Sequence, residues 1–368
     1  MKYYIIAGEA SGDLHASNLI KELKVLDTNA QFRCWGGDLM TAQGADLVKH
    51  YRDLAFMGFT EVLMNLPTIL NNIKFCKKDI LEHKPDVLIL VDYPGFNLRI
   101  AEYAKTIGIK VFYYISPQIW AWKQSRVHKI KKVVDKMFVI LPFEKEFYQR
   151  FNYNVDFVGH PLLDAVENYA GQSNHLSVQT NKPIIALLPG SRKQEITSML
   201  PIMLSMVKHY KNYQFVIAAA PSQKKEFYQT FIGDLDVQLV FGETYQLLQK
   251  SEAALVTSGT ATLETALFGI PEVVCYKGGA ISYAIAKQLV KVKYISLVNL
   301  IMDEEIVKEL IQNELNENNL KIELDKLLNT QSRIKMLAQY TKLKMKLGGS
   351  GASGKTAELM ISYLNIKN

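Results

Sequence analysis

The chain has 368 residues, of which 48% are hydrophobic and 21% are charged, and its formal net charge is +7. This composition is typical of a globular protein long enough for two domains, and no apolar run approaches the ~20 residues of a membrane-spanning helix. Cys34, Cys76 and Cys275 stand far apart in no metal-binding spacing, which argues against disulfides and structural zinc. Because no signal-peptide pattern follows Met1, we expect a cytoplasmic protein.

Strands and helices alternate along the first half of the chain. The predicted helices run from Leu14 to Leu26 and from Asn97 to Ile107. The predicted strands are Lys2 to Ala7, Gln31 to Trp35, Val87 to Val91, Lys110 to Ile115, Met137 to Leu141 and Val155 to Val158. Nearly continuous Val, Ile and Leu strands predict a parallel sheet covered by helices on both faces.

The alternation restarts after a polar stretch, residues 171–182. The predicted strands are Ile184 to Leu188, Phe215 to Ala219, Val237 to Phe241, Ala254 to Val256 and Glu272 to Tyr276. We therefore predict an α/β protein with two Rossmann-like domains, 1–168 and 169–345, that face a central cleft. Residues 346–368 are predicted to be a glycine-rich joint and a final helix, and the chain after Asp303 is expected to be wholly helical.

The turn after the first strand contains candidate site residues. Gly8 and Gly12 allow a sharp backbone turn, and the spacing differs from G-x-G-x-x-G, which disfavours a nicotinamide cofactor. Asp13 either caps the following helix, as Ser11 could, or contacts substrate. His15 is either an ordinary half-buried histidine or a ligand contact near the cleft.

Asp92 follows the apolar strand Val87 to Val91. An acid at the carboxyl end of a parallel strand lies where open α/β sheets bind ligands, and burial there would raise its pKa enough to accept a proton from a hydroxyl. The alternative is a turn aspartate that bonds its own backbone before Pro94.

Two segments of the second half each join a strand to a helix start through small or hydroxyl residues. They are residues 187–192 (LLPGSR) and 256–264 (VTSGTATLE). Such openings aim free backbone N–H groups at an anion, so they predict a diphosphate site with contacts from Ser258, Gly259 and Thr260. Arg192 would add a forked pair of charged donors. Glu264 either contacts ribose hydroxyls or is simply solvated.

Basic and apolar segments suggest partners. Residues 123–136 read as an amphipathic helix with a solvated lysine face, and Trp120 and Trp122 beside it favour a membrane surface. The segment Leu54 to Leu70 is either an acyl-chain groove, a membrane-dipping segment or an ordinary core helix. The net charge alone does not distinguish nucleic acid, membrane and anionic substrates, and we expect no nucleic-acid partner.

Three motif matches are set aside. Residues 349–356 fit the P-loop pattern, but a helix precedes them where a P-loop requires a strand. Asp234-Leu235-Asp236 resembles a metal-chelating D-x-D yet lies ahead of a strand, so a turn is the better interpretation. His160 is interpreted as a structural turn residue because no second ligand stands at metal-binding spacing. No metal and no cofactor are predicted.

Seven ordered segments closely resemble the lipid-A-disaccharide synthase family over most of the chain to about Leu310. They are residues 7–13 (AGEASGD), 57–62 (MGFTEV), 92–97 (DYPGFN), 116–122 (SPQIWAW), 158–161 (VGHP), 188–192 (LPGSR) and 258–264 (SGTATLE). The resemblance implies a GT-B glycosyltransferase that joins UDP-2,3-diacylglucosamine to 2,3-diacylglucosamine 1-phosphate with inversion. Its product would be a β(1→6) disaccharide. The resemblance also implies peripheral attachment to the inner face of the inner membrane, and a homodimer is a candidate assembly.

The resemblance assigns roles to individual residues. Asp92 would be the base for the acceptor 6-hydroxyl, and Ser11, Gly12, Asp13 and His15 would lie near the reaction centre. Arg192, Asn299 and Glu309 would belong to the donor site. Two rival functions remain open at this point: a UDP-sugar 2-epimerase, which would turn over its substrate without an acceptor, and a non-catalytic nucleotide or lipid binder, which would bind UDP and release none.

Overall fold

The computed structural model describes residues 1–54, 66–170, 175–279 and 292–365. It divides the chain into two compact units, the first made of Met1–Asp164 and Leu347–Asn368 and the second of Ala165–Lys346. The domain boundaries inferred from the sequence, after residues 168 and 345, stay predictions beside this division.

The first unit contains a seven-stranded parallel sheet in the order β3-β2-β1-β4-β5-β6-β7. Its strands are β1 Lys2–Ala7, β2 Gln31–Gly36, β3 Asp46–His50, β4 Val87–Val91, β5 Lys110–Tyr114, β6 Lys136–Val139 and β7 Asp156–Phe157. Its helices are α1 Ala10–Leu26, α2 Asp38–Ala42, α3 Leu66–His83, α4 Pro94–Thr106, α5 Ile119–Trp122, α6 Val127–Val133 and α7 Pro142–Gln149, and α8 Pro161–Ala170 runs on into the second unit. The central strands β1 and β4 are buried along almost their whole length, as expected for a sheet covered on both faces.

The second unit contains a six-stranded parallel sheet in the order β10-β9-β8-β11-β12-β13. Its strands are β8 Ile184–Leu188, β9 Gln214–Ala219, β10 Val237–Phe241, β11 Ser251–Thr257, β12 Glu272–Tyr276 and β13 Lys308–Ile311. Its helices are α9 Lys193–Leu204, α10 Lys225–Ile232, α11 Thr244–Lys250, α12 Thr260–Leu267, α13 Leu297–Met302, α14 Glu317–Leu328 and α15 Thr330–Lys346. Two apolar clusters, one on each face of this sheet, form the core of the unit.

The expectation that the chain is wholly helical after Asp303 is wrong. Strand β13 pairs in parallel with β12, with Val273 opposite Lys308 and Cys275 opposite Leu310. Its short sequence, Lys-Glu-Leu-Ile, carries two charged residues and gives no apolar run. It is nevertheless a strand because it lies at the sheet edge, where only one neighbour is needed.

The glycine-rich segment near the C-terminus begins the last helix, α16 Ala352–Asn365, which packs on α1. Helix α15 precedes this segment, as expected. The carboxylate of Asp164 accepts from the amides of Gly351 at 2.5 Å and Ser353 at 3.2 Å. Lys355 donates to the carbonyl of Phe157 at 2.9 Å. A protein carboxylate therefore occupies the helix start where a P-loop would hold phosphate, which argues against phosphate binding by this segment.

Candidate active-site residues

In the first unit, the strand order reverses between β1 and β4, which lie side by side. Open parallel sheets bind ligands beyond the carboxyl ends of their strands at such a point. Strand β1 ends at Ala7 and is followed by α1, and β4 ends at Val91 and is followed by Asp92. The predicted residues 11–15 and Asp92 therefore lie at one edge of one sheet.

Two side chains hold the backbone of Asp92. Asp92 and Tyr93 both adopt left-handed conformations, with φ of 44° and 50°, and such strain in non-glycine residues is concentrated at functional sites. The buried amide of Asn97 donates to the Asp92 carbonyl at 2.7 Å and to the Val91 carbonyl at 3.3 Å. The hydroxyl of Tyr113 donates to the same Asp92 carbonyl at 2.5 Å. The turn is fixed from both the helix and the sheet.

The surroundings of Asp92 raise the pKa of its carboxyl group. Desolvation by burial and the nearby carboxylate of Glu9 raise its pKa to about 7, against a smaller opposing effect of the Tyr93 amide. A general base is most effective when its pKa lies near the working pH. Glu9, in the turn after β1, was not among the predicted site residues.

Asp13 is buried and its carboxylate is fully engaged. One oxygen accepts from the amides of Gly37 at 2.8 Å and Met40 at 3.2 Å, and the other accepts from the amide of Leu39 at 3.1 Å. Asp13 therefore fixes the start of α2, where a carboxylate also complements the helix dipole. Its predicted part in catalysis stays a prediction.

The expectation that Ser11 or Asp13 caps α1 is wrong. The helix begins at Ala10, and its N-cap residue, Glu9, makes no side-chain cap hydrogen bond. Ser11 is exposed at the helix start, whereas Gly12 is buried. A Cβ on Gly12 would lie 3.2 Å from that of Ala7, so glycine lets the helix pack closely on the strand. The substrate-binding roles of Ser11 and Gly12 stay predictions.

His15 is one of two neighbouring buried histidines. Its Nδ1 has no hydrogen-bond partner among the described residues, and burial lowers its pKa to about 4. Burial and the nearby His15 also lower the pKa of His160, to about 3. The His160 Nδ1 accepts from the amide of Leu162 at 3.2 Å, which supports its interpretation as a turn residue. The pairing was missed because the two residues are far apart in the chain.

In the second unit, the strand order reverses between β8 and β11. Helix α9 begins at Lys193, five residues after the end of β8, and α12 begins at Thr260, three residues after the end of β11. The two predicted anion-binding segments therefore follow adjacent strands and lie at the same edge of this sheet, as predicted.

The start of α9 carries an internal carboxylate. One oxygen of Glu195 accepts from the amides of Ser191 and Arg192, each at 3.2 Å, and the other pairs with the Arg192 guanidinium at 2.9 Å. A Cβ on Gly190, whose φ is 113°, would lie 2.7 Å from this carboxylate. The expectation that these two amides are free for a phosphate is therefore wrong. The Arg192 side chain is 58% exposed.

The start of α12 fits the predicted anion site better. Its N-cap residue is Gly259, which makes no side-chain cap hydrogen bond. The Thr262 amide donates to the Gly259 carbonyl at 3.3 Å, and the amides before it are the ones that a helix start offers to an anion. Gly259 and Thr260 are exposed. The Ser258 hydroxyl is engaged, because it donates to the carbonyl of Ile295 at 3.0 Å.

Glu264 is a partly buried residue with a defined partner, so the solvated alternative is wrong. The hydroxyl of Tyr245 donates to its carboxylate at 2.8 Å, and burial raises the pKa of Glu264. Tyr245 packs in turn against the rings of Tyr169 and Phe268, with ring centroids 5.1 Å and 5.0 Å away. A contact of Glu264 with ribose stays a prediction.

Asn299 and Glu309 form a buried network. The Glu309 carboxylate accepts from the Ile295 amide at 2.9 Å, from the Ser296 amide at 2.9 Å and hydroxyl at 2.7 Å, and from the Asn299 side chain at 2.9 Å. The Asn299 oxygen accepts from the Val307 amide at 3.0 Å. Both side chains are saturated by protein contacts, and through Ile295 they connect to Ser258. Their predicted place in the donor site stays a prediction.

Other predicted features have mixed outcomes. Within the described part of the chain, no group of three His, Cys, Asp or Glu residues could hold a metal, and no helix is long and apolar enough to cross a membrane.

Residues 123–136 contain a short 3-10 turn, α6 and the start of β6, so the prediction of a single helix is wrong. Val127, Ile130 and Val133 are nevertheless buried, as their spacing predicted. Most of the segment Leu54 to Leu70 lies outside the described residues. Asp234 and Asp236 lie in the turn before β10, as predicted.

Solved structures of two enzyme types share this fold. A putative UDP-N-acetylglucosamine 2-epimerase from Listeria monocytogenes matches with a TM-score of 0.69 at 14% identity, covering 100% of this chain and 97% of that one. The glycosyltransferase CalG4 matches with a TM-score of 0.63 at 13% identity, covering 100% and 99%. The two parallel sheets and their helix starts thus define a protein of the GT-B architecture.

Sequence relatives identify the family within this class. The family model for lipid-A-disaccharide synthetase matches residues 3–361. The lipid-A-disaccharide synthase of Syntrophus aciditrophicus is 39% identical over 98% of this chain and 97% of its own length. That of Psychromonas ingrahamii is 40% identical over 99% and 98%. The chain belongs to the lipid-A-disaccharide synthase family.

Proposed function

We propose that this protein transfers 2,3-diacylglucosamine from UDP to the 6-hydroxyl of 2,3-diacylglucosamine 1-phosphate, with inversion at the anomeric carbon. The new bond joins the acceptor O6 to C1 of the donor sugar, the bond from C1 to the UDP oxygen breaks, and UDP leaves with the electron pair. The observation that carries the proposal is the Asp92 carboxyl, held at the strand-order reversal with a pKa of about 7, in a chain of this family.

Asp92 takes the acceptor proton. Because its pKa lies near neutral, it is ionised in a large fraction of molecules at working pH and still basic enough to remove a proton as O6 attacks. The left-handed turn fixes the carboxyl against rotation of the backbone. Ser11 and His15, at the same sheet edge, contact the acceptor sugar.

The second unit holds the donor. The backbone amides of Ser258, Gly259 and Thr260 at the start of α12 bind the diphosphate, and the Thr260 hydroxyl adds a side-chain contact, while the Ser258 hydroxyl holds the segment in place through Ile295. Arg192 stabilises the charge that develops on UDP, and this requires its guanidinium to exchange Glu195 for phosphate. Preorganised donors of this kind typically contribute about 10²-fold to 10³-fold in rate each. Glu264 contacts the ribose.

We also propose that the protein works as a peripheral protein at an anionic membrane surface, where both acylated substrates reside. Trp122 is 46% exposed, with the Lys123 ammonium 4.5 Å and the Arg126 guanidinium 5.4 Å from its ring, a combination suited to lipid headgroups. Trp120 is buried against Phe143 and does not share this role. Cosedimentation with anionic vesicles tests the attachment, and Trp122→Ala should weaken it. Analytical ultracentrifugation tests the candidate homodimer.

The deciding experiment supplies purified protein with both acylated sugars and identifies the product by mass. We expect a tetraacyl disaccharide 1-phosphate and one UDP per product. Asp92→Asn should fold normally and lose about 10²-fold to 10⁴-fold in rate. Wild-type turnover in that variant would remove Asp92 from the mechanism. Turnover of a UDP-sugar without acceptor, or binding of UDP with no release from the donor, would replace the proposal with the epimerase or the binder.

A further inference from the structure

The carbonyl oxygen of Asp92 is a point where two elements of the first unit converge. Tyr113 lies on β5, the strand next to β4, and Asn97 lies in the first turn of α4. Both side chains are fully buried. Their donor atoms lie 2.5 Å and 2.7 Å from this one carbonyl oxygen. This backbone acceptor is thus held from two directions by buried side chains.

The backbone at this carbonyl requires such support. Two consecutive non-glycine residues in left-handed conformations, Asp92 and Tyr93, persist only where surrounding structure fixes them. The Tyr93 ring lies against Gly8, where a Cβ would come within 2.4 Å of it, and the Tyr93 hydroxyl donates to the Leu54 carbonyl at 3.2 Å. If the Asp92 carbonyl lost one of its two donors, the backbone could change from the left-handed to the extended conformation.

We propose that Tyr113 is a positioning residue for the transfer reaction: its hydroxyl holds the Asp92 carbonyl, and thereby fixes the direction and the burial of the Asp92 carboxyl. This inference rests on the proposed function of Asp92 as the base. Tyr113 would then influence the rate and its pH dependence although it is a strand residue that does not contact substrate.

The electrostatic surroundings make the pH profile a useful measurement. Glu9 and the Tyr93 amide act on the Asp92 carboxyl. The Asp92 carboxyl, the Tyr148 hydroxyl, the Asn97 amide and the Arg126 guanidinium act in turn on the Tyr113 hydroxyl. Burial raises the pKa of Tyr113 well above 10, so its hydroxyl donates throughout the working range. A change in the pH profile of a Tyr113 variant therefore reports on the Asp92 carboxyl.

The test is Tyr113→Phe, which removes one oxygen atom and keeps the ring. We expect kcat to fall about tenfold while KM for both substrates stays within about twofold, because the geometry of the base changes and the substrate contacts do not. The acidic limb of kcat should also move to lower pH, by about half a unit, since the relaxed carboxyl is better hydrated.

Tyr114→Phe is the matched control. Tyr114 is the next residue of β5, is equally buried, and faces the other side of the sheet, where its hydroxyl lies near Ser353 and Thr356. The Tyr114 hydroxyl has no hydrogen-bond partner among the described residues, so its loss should leave the midpoint of thermal unfolding, kcat and the pH profile nearly unchanged. If Tyr113→Phe gives the same kinetics as this control, Tyr113 has no positioning role.

A double-mutant cycle separates this inference from the base assignment. Combined with Asp92→Asn, Tyr113→Phe should cost nothing further, because it acts only through Asp92; an undiminished tenfold loss would overturn the inference. If Tyr113→Phe does not fold, Asn97→Ser removes the other donor at the carbonyl and should give the same loss and the same shift. Full activity of Asp92→Asn alone would reject the proposed function instead.

Discussion

Replacement of Glu309 by glutamine tests whether the buried network acts on the donor site from a distance. The carboxylate accepts four hydrogen bonds from Ile295, Ser296 and Asn299. Glutamine keeps one oxygen, so a side-chain NH₂ faces at least one buried N–H donor, and the remaining bonds lose their charge assistance. An orphaned buried donor costs about 1–3 kcal/mol, and we expect Glu309→Gln to destabilise the second unit by about 2–4 kcal/mol in all.

The effect on ligand binding should pass through Ile295 to Ser258. Because the hydrogen bond between them is worth about 1 kcal/mol, its loss should weaken UDP binding about fivefold in isothermal titration calorimetry. Ser258→Ala should have a similar effect, and the double variant no more than either alone. Glu314→Gln, at an exposed position nearby, is the control. Additive losses of affinity would mean that Glu309 contacts the nucleotide directly, and an unchanged Kd would exclude both interpretations.

Glu195→Gln should tighten UDP binding about threefold to tenfold, because a negative charge leaves the phosphate site and Arg192 is released; unchanged titration isotherms would exclude Glu195 from that site. Asp164→Ala should cost about 1 kcal/mol in urea unfolding, as expected for a lost helix cap, and should increase hydrogen exchange at the start of α16. Neither oxygen of buried Glu272 has a hydrogen-bond partner within the described ranges, and desolvation raises its pKa well above 4.5. Above pH 4.5 the unfolded chain therefore binds fewer protons than the folded chain. As the pH rises, the free energy of unfolding falls by up to about 1.4 kcal/mol per pH unit. Glu272→Gln should flatten this dependence in denaturant unfolding between pH 5 and 8, and a slope equal to that of the wild type would contradict the assignment.

The pattern of apolar runs predicted most of the fold because the strands near the sheet centres are buried on both faces. Strands β1, β4, β8 and β12, which lie inside their sheets, were predicted with the bounds that the structure gives. The edge strand β10 was also predicted correctly, because its sequence Val-Gln-Leu-Val-Phe is mostly apolar although the strand is largely half-exposed. The missed strands, β3 and β13, are edge strands with charged or half-exposed residues, and one neighbouring strand suffices to hold them. Helix α1 begins four residues before its predicted start, because packing of Gly12 on Ala7 outweighs the weak helix propensity of the Ser-Gly-Asp segment.

The sequence predicts a site residue when the residue directly follows an apolar strand. It does not predict a site residue whose position depends on a partner far away in the chain. The strand ends at Asp92 and Ser258 could be inferred from the apolar runs before them. The neighbours Glu9 and Tyr113 reach Asp92 only through the sheet topology, in which β5 lies beside β4. The sequence does contain a signal for Glu195, because a glutamate three residues after a helix N-cap commonly bonds back to the N-cap amide.

Asp13, in the first turn of α1, and Asp92, directly after β4, are the same residue type beyond neighbouring strands, and their hydrogen bonds suit them to different roles. The Asp13 carboxylate accepts from three backbone amides of the β2–α2 turn, so protonation would break bonds that hold α2. At Asp92 the two strong bonds end on the backbone carbonyl, and the carboxyl accepts from the Tyr93 amide alone among its resolved contacts. A base must exchange a proton in each turnover without disturbing the fold. Asp92 meets that requirement because its position is fixed through its backbone, whereas Asp13 is fixed through the very oxygens that a proton would need.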